Sequence, residues 1–126
     1  AVLFDLHVGD ARIRPSADAG YAACAAASSD APTQGNVGAG AGATVGKLFG
    51  MAHAMKGGIG SAAVTLNGVT VGALIAVNAL VDVVDPATGA PLAGARTADG
   101  RALRGSVAAV LAGAAMLAIM ATRSLL

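Results

Sequence analysis

The dipeptide Asn67-Gly68 stands between two runs of apolar and β-branched residues, Ser61–Leu66 and Val69–Val77. A two-residue hairpin turn needs positive φ at both central positions, which Asn and Gly tolerate best, so the pair predicts a β-hairpin. The turn length also sets the register: Leu66 faces Val69, Thr65 faces Thr70 and Val64 faces Val71. Alternation along the second strand puts Val69, Val71, Ala73, Ile75 and Val77 on one face, which reads as a core face. Thr70, Gly72, Leu74, Ala76 and Asn78 share the other, which is mostly small and ends in an amide side chain.

Composition says how such strands can pack. Ala and Gly make up 51 of the 126 residues, so the 56% hydrophobic content is largely methyl groups. Leu, Ile, Val and Phe still contribute 31 residues, above the range for a disordered chain. Small residues at this density favour closely spaced layers in which backbone approaches backbone.

Several function classes fall away. A net charge of +1 offers no cationic footprint for nucleic acid. One Tyr, two Phe and no Trp leave few stacking platforms. The single cysteine, Cys24, excludes an internal disulfide framework and a cysteine-built zinc site. His7 and His53 lie far apart and lack ligand spacing, so no metal is expected on them. The longest apolar stretch, Val107–Ala121, has 15 residues. A membrane span needs about 20, so no membrane partner is expected. The start, Ala1-Val2-Leu3-Phe4, lacks signal-peptide anatomy, which gives the expectation of a cytoplasmic protein. The end, Leu126, falls inside an apolar helical pattern with no cap, which suggests a piece of a larger protein.

Along the chain, Ala1–Val8 reads as a strand with Asp5 and His7 on one face. Ser16 can cap a helix from Ala17 to about Ala27, with Asp18 near the positive end of its dipole. Small side chains on most faces let that helix lie close to a neighbour, and Cys24 within it reads as an inert buried thiol. Ser28–Gly35 is a loop, Asp85–Gly89 a turn and Ala90–Gly100 a loop. Arg101–Leu126 carries a helical stripe of Leu103, Val107, Val110, Leu111, Ala114, Leu117 and Ala121, and is expected to be buried on several sides.

The segment Asn36–Lys47, with Gly38, Gly40, Gly42 and Gly46, is the densest candidate for chemistry. Glycine is used where φ must be positive or another group must approach the backbone. Three readings stand side by side: a tight structural crossing, a loop lining a catalytic cleft with its amides, and a dinucleotide loop. Gly38-x-Gly40-x-x-Ala43 meets the permissive form of the last, but no clear strand precedes it and no acid follows about 20 residues on. A Walker loop fails, because Leu48 follows Gly46-Lys47 and Ala41 stands where the first glycine belongs. Lys47 closes the segment in apolar surroundings, either with a lowered pKa suited to proton transfer or as a surface cation. Lys56, before Gly57-Gly58, has the same two readings. Asn78 either donates its N–H₂ to a developing oxyanion or bonds a loop carbonyl at the strand end. No serine has a context that would complete a triad with His7 and Asp5.

Gly35–Lys47, then Met55-Lys56-Gly57-Gly58-Ile59-Gly60-Ser61-Ala62, then Gly68–Asn78 resembles one family in order and spacing. It is the self-processing aminopeptidase family that includes the L-aminopeptidase/D-esterases, the β-aminopeptidases and the nylon-oligomer hydrolases. The resemblance covers nearly the whole chain and implies an α+β fold, a four-layer αββα sandwich like that of N-terminal-nucleophile hydrolases. It implies that these 126 residues are part of a single domain. An N-terminal α segment and a separate β chain, cut from the same precursor, would complete that domain. It further implies that the nucleophile is the Ser or Thr opening the β chain, outside this chain, and that αβ units assemble as tetramers. No cofactor is implied. Lys47 is similar to a lysine that the nylon-hydrolase branch places in its active site, and Asn78 to the asparagine at the end of the same strand. Phe4 lies where several members carry a functional tyrosine, and its missing hydroxyl puts substrate specificity in question. With Phe4, Gly40 and Gly42 are the expected substrate-binding positions. The expected activity is hydrolysis of amides or small peptides, with ω-amino-acid oligomers as alternative substrates. A non-catalytic subunit gripping an anion or nucleotide with the glycine loop is the other alternative.

Overall fold

A computed structural model describes residues 9–113 of the chain. The expected strand 1–8, with Phe4, Asp5 and His7, lies outside the described residues, as does everything beyond 113.

Helix α1 spans Ala17–Ala25, capped by Ser16, whose Oγ accepts from the Ala19 amide at 3.2 Å. Asp18 lies in its first turn, as expected. The helix buries no residue, and Cys24 is exposed rather than buried. An alanine-rich cylinder has no apolar stripe large enough to define a buried side, and none of the described elements covers it.

The hairpin is the largest element. Strands β3 (Gly58–Leu66) and β4 (Val69–Val77) pair antiparallel with Leu66 opposite Val69, Thr65 opposite Thr70 and Val64 opposite Val71. Asn67 and Gly68 take φ of 50° and 78°, the left-handed values the turn requires. The Thr65 and Thr70 hydroxyls bond across the ladder at 2.8 Å.

Two short sheets flank the root of the hairpin. Strand β1 (Thr44–Val45) pairs with β2 (Met55–Lys56), and β5 (Val83–Val84) pairs with β6 (Pro91–Ala93), both antiparallel. The last pair corrects the reading of Ala90–Gly100 as loop throughout. Three residues opening on Pro91 carry no alternation, and they become a strand only because the Asp85–Gly89 turn folds them back onto β5. Helix α2 covers Ser106–Leu111, so it starts five residues after Arg101, where the helical segment was expected to begin. Gly105, at φ 72°, breaks the helical path, and Leu103 instead bridges to Arg96. Nor is α2 buried on several sides: Ser106 is its buried residue, while Val107, Val110 and Leu111 are exposed.

The core sits at the hairpin's root. Ala43, Val45, Leu48, Ala54 and Ala95 are its buried apolar residues, with Thr44 and Ser106 buried among them. Full burial of a Val or Leu contributes about 1.5–3 kcal/mol, so Val45 and Leu48 dominate this centre. The expected core face of the hairpin is not one here: Val69, Val71 and Ile75 are 65%, 70% and 59% exposed. Leu74 on the opposite face is 61% exposed, so neither side of the distal hairpin is covered by the described residues. The period-2 pattern identifies a face but not what lies against it. The architecture is an α+β fragment with antiparallel pairing throughout the described strands.

Candidate functional site

Glycine builds the ground on which the site stands. Gly38–Gly40 forms a 3₁₀ turn, and a Cβ at Gly40 would overlap Gly35 O and Ile59 N. Gly57 approaches Val77 O equally closely, and its amide donates to Ala43 O at 2.8 Å. Of the expected substrate-binding positions, Gly40 is buried in this backbone crossing, and Gly42 is buried as well. The amides of Gly40, Ala41 and Ala43 donate to Val37, Gly38 and Gly40 carbonyls within the same segment. This leaves little of the loop to cradle an anion. A two-residue strand follows it, not a helix, so the dinucleotide arrangement of loop and helix N-terminus is absent there.

The crossing brings Lys47 and Asn78 together. Gly46, at φ 71°, turns the chain into the 3₁₀ turn Lys47–Phe49, which presents the lysine. Asn78 follows the last residue of β4. Lys47 Nζ donates to Asn78 Oδ1 at 2.5 Å, and the Thr44 amide donates to the same oxygen at 3.3 Å. The backbone on either side of the lysine is held by the strand exit that carries the asparagine. Gly46 N donates to Val81 O at 3.1 Å and Leu48 N to Leu80 O at 3.0 Å.

This geometry fixes the orientation of the amide. With two donors aimed at one side-chain atom, that atom must be the oxygen, because an N–H₂ there would face an ammonium and an N–H. Asn78 therefore bonds a loop amide, not a loop carbonyl. Its Nδ2 donates to no described residue and stays available to an acceptor from outside them. Burial pushes the Lys47 pKa below the ordinary lysine value. The described ion pair is Arg12–Asp10, so no described carboxylate balances Lys47. Lys47 is thus a half-buried, hydrogen-bonded lysine.

The remaining candidates lie apart from this pair. Lys56, an exposed residue, donates to Ala41 O and pins the glycine segment. His53 Nδ1 is 2.8 Å from Arg96 O, which makes Nδ1 the protonated nitrogen. Among the described residues no cluster of His, Cys, Asp and Glu has the form of a metal site. No described helix is long and apolar enough to cross a membrane.

Sequence reasoning missed Asp82. Its Oδ1 accepts from the Ala95 amide at 3.1 Å and from Ser106 Oγ at 2.7 Å, and its Oδ2 accepts from the Ser106 amide at 2.5 Å. The signal was present: a carboxylate inside Leu80-Val81-Asp82-Val83-Val84 needs hydrogen-bond donors if that run packs.

A family model described as Peptidase family S58 matches residues 1–125. An uncharacterized aminopeptidase of Mycobacterium bovis is 54% identical over 92 residues, covering 72% of this chain and 24% of that protein. A counterpart in Mycobacterium tuberculosis matches equally, and one in Mycobacterium leprae is 50% identical over 99 residues, covering 72% and 25%. The chain thus spans about a quarter of the length of the curated relatives it matches. No solved structure matches it.

Proposed function

The chain belongs to peptidase family S58, and from that membership we propose that it is part of an aminopeptidase-like amide hydrolase of the N-terminal-nucleophile type. The observation that carries this reading is the Lys47–Asn78 contact. It saturates the amide oxygen and leaves the Nδ2 donors for a substrate.

In the proposed reaction, the hydroxyl of a Ser or Thr at the start of a companion β chain attacks the carbonyl carbon of an amide. Its proton passes to that residue's own α-amine, and negative charge develops on the carbonyl oxygen. Asn78 Nδ2 donates to that oxyanion. A single such donor is worth about 10²–10³ in turnover. The tetrahedral species collapses as the C–N bond breaks and the leaving amine takes the proton. Water then cleaves the acyl ester and restores the hydroxyl. Lys47 holds Asn78 in the donating orientation, and its charge balances acidic groups of the companion chain. Small peptides and amides with a free N-terminal residue are the proposed substrates.

The exposed hairpin supports a companion. A two-stranded hairpin is marginal alone in water, and an apolar surface this continuous calls for cover. In the proposed assembly, β3 and β4 join one layer of an αββα sandwich completed by the rest of the precursor.

Intact-mass measurement of the purified full-length protein tests the reading. Two polypeptides are expected, one beginning with Ser or Thr, and replacing that residue by Ala should abolish both the cut and amide turnover. An uncut polypeptide that hydrolyses amides would contradict it.

A further inference from the structure

We propose that Asp82 is a positioning residue that holds Lys47 against Asn78, through a latch joining the exit of β4 to Gly94–Ala95 and Ser106. The inference deepens the functional reading above and rests on it for its kinetic readout.

Four residues after Asn78, the Asp82 carboxylate gathers three donors from two distant segments: the Ala95 amide, the Ser106 amide and the Ser106 hydroxyl. Ser106 is fully buried and Asp82 half-buried, so the bonds are partly shielded from water. Gly94 makes room for the carboxylate, since a Cβ at that position would overlap the Asp82 side chain. Gly94 and Ala95 in turn back directly onto Gly46, where a Cβ would overlap the Ala95 amide nitrogen. Gly46 is the left-handed residue that turns Lys47 inward, and its amide donates to Val81 O, next to Asp82. The latch therefore closes a ring. Asp82 fixes the segment 94–95, that segment buttresses Gly46 from one side, and the strand exit 80–82 holds residues 46 and 48 from the other. Lys47 is the side chain the ring leaves free to reach Asn78.

The two oxygens are not equivalent, which supplies a sharp variant. In Asp82→Asn the amide oxygen can keep the Ala95 and Ser106 hydroxyl donors, but its N–H₂ then meets the Ser106 amide N–H. Donor faces donor, and the latch opens with almost no change in volume. Ser106→Ala removes only the hydroxyl donor and reaches the same latch more gently.

The test uses the full-length protein with two readouts. The first is the pH-dependent rate of acylation of Lys47 and Lys56 by an amine-reactive acetylating reagent, read by peptide mass spectrometry. The second is the pH dependence of anilide turnover. In folded Asp82→Asn, or in Ser106→Ala if the first variant does not fold, Lys47 acylation should rise at least threefold at alkaline pH, where the amine is uncharged in both proteins and access alone sets the rate, and its pH profile should move upward. Lys56 should be unchanged, and kcat should fall about tenfold with KM little altered. Unchanged Lys47 acylation in a folded variant overturns the proposal. So does a lower melting temperature with a superimposable pH profile and unchanged kcat per folded molecule. If the wild-type protein shows no amide turnover but Lys47 acylation responds as expected, the functional reading fails while the latch stands.

Discussion

Lys47 Nζ lies 2.5 Å from Asn78 Oδ1, joining a residue of the glycine segment to the end of the long hairpin. With Thr44 N on the same oxygen, the amide can present only donors to a substrate. Asn78→Asp keeps both acceptor contacts while removing the Nδ2 donors. It also sets a carboxylate beside the lysine, which favours the charged amine. The expected outcome is a folded protein with reduced amide turnover, in which the pH limb belonging to Lys47 moves upward. Turnover and profile identical to wild type would remove Asn78 as a donor.

Lys47 makes its own prediction about stability. Burial lowers its pKa in the folded protein, so between that value and the unfolded value near 10.5 the unfolded chain binds more protons. Stability contributed by this residue therefore rises with pH across that window and is lowest below it. Lys47→Met should lack this dependence. Urea melts of both proteins from pH 7 to 10.5 should show the wild type gaining relative to the variant. A constant difference would mean that the lysine is not desolvated.

The glycine segment predicts a contrast between two substitutions. Gly40→Ala forces a methyl into Gly35 O and Ile59 N. Overpacking of this kind costs about 1–3 kcal/mol. Gly20→Ala, inside α1 with nothing within 4 Å of the new methyl, should gain about 0.5–1 kcal/mol from helix entropy. Chemical denaturation separates the two. Equal, small effects would mean that Gly40 is not at a crossing.

The division between what the chain's letters disclosed and what they hid follows the range of the interactions. The Asn67-Gly68 turn is decided by two residues and a local φ requirement, so the pairing of Leu66 with Val69, Thr65 with Thr70 and Val64 with Val71 could be read in advance, and the structure carries the same register on to Gly58–Val77. Ser16 and α1 were legible for the same reason. Lys47 and Asn78 each stood out singly. Their contact spans 31 positions and depends on Gly57 seating against Ala43 and Val77, which no local pattern reports. Strand β6 was hidden because its identity comes from β5. The start of α2 was misplaced because a stripe beginning at Leu103 looks helical until Gly105 turns the backbone left-handed. Asp82 was passed over because its partners, Ala95 and Ser106, lie 13 and 24 residues away.

The central claim is that Asn78 faces the reacting carbonyl. Its most direct test is kcat for a chromogenic aminoacyl anilide, comparing the full-length wild-type protein with Asn78→Ala at equal folded fraction. The account predicts a fall of about 10²-fold or more in kcat with KM little changed. Undiminished turnover by folded Asn78→Ala would contradict it.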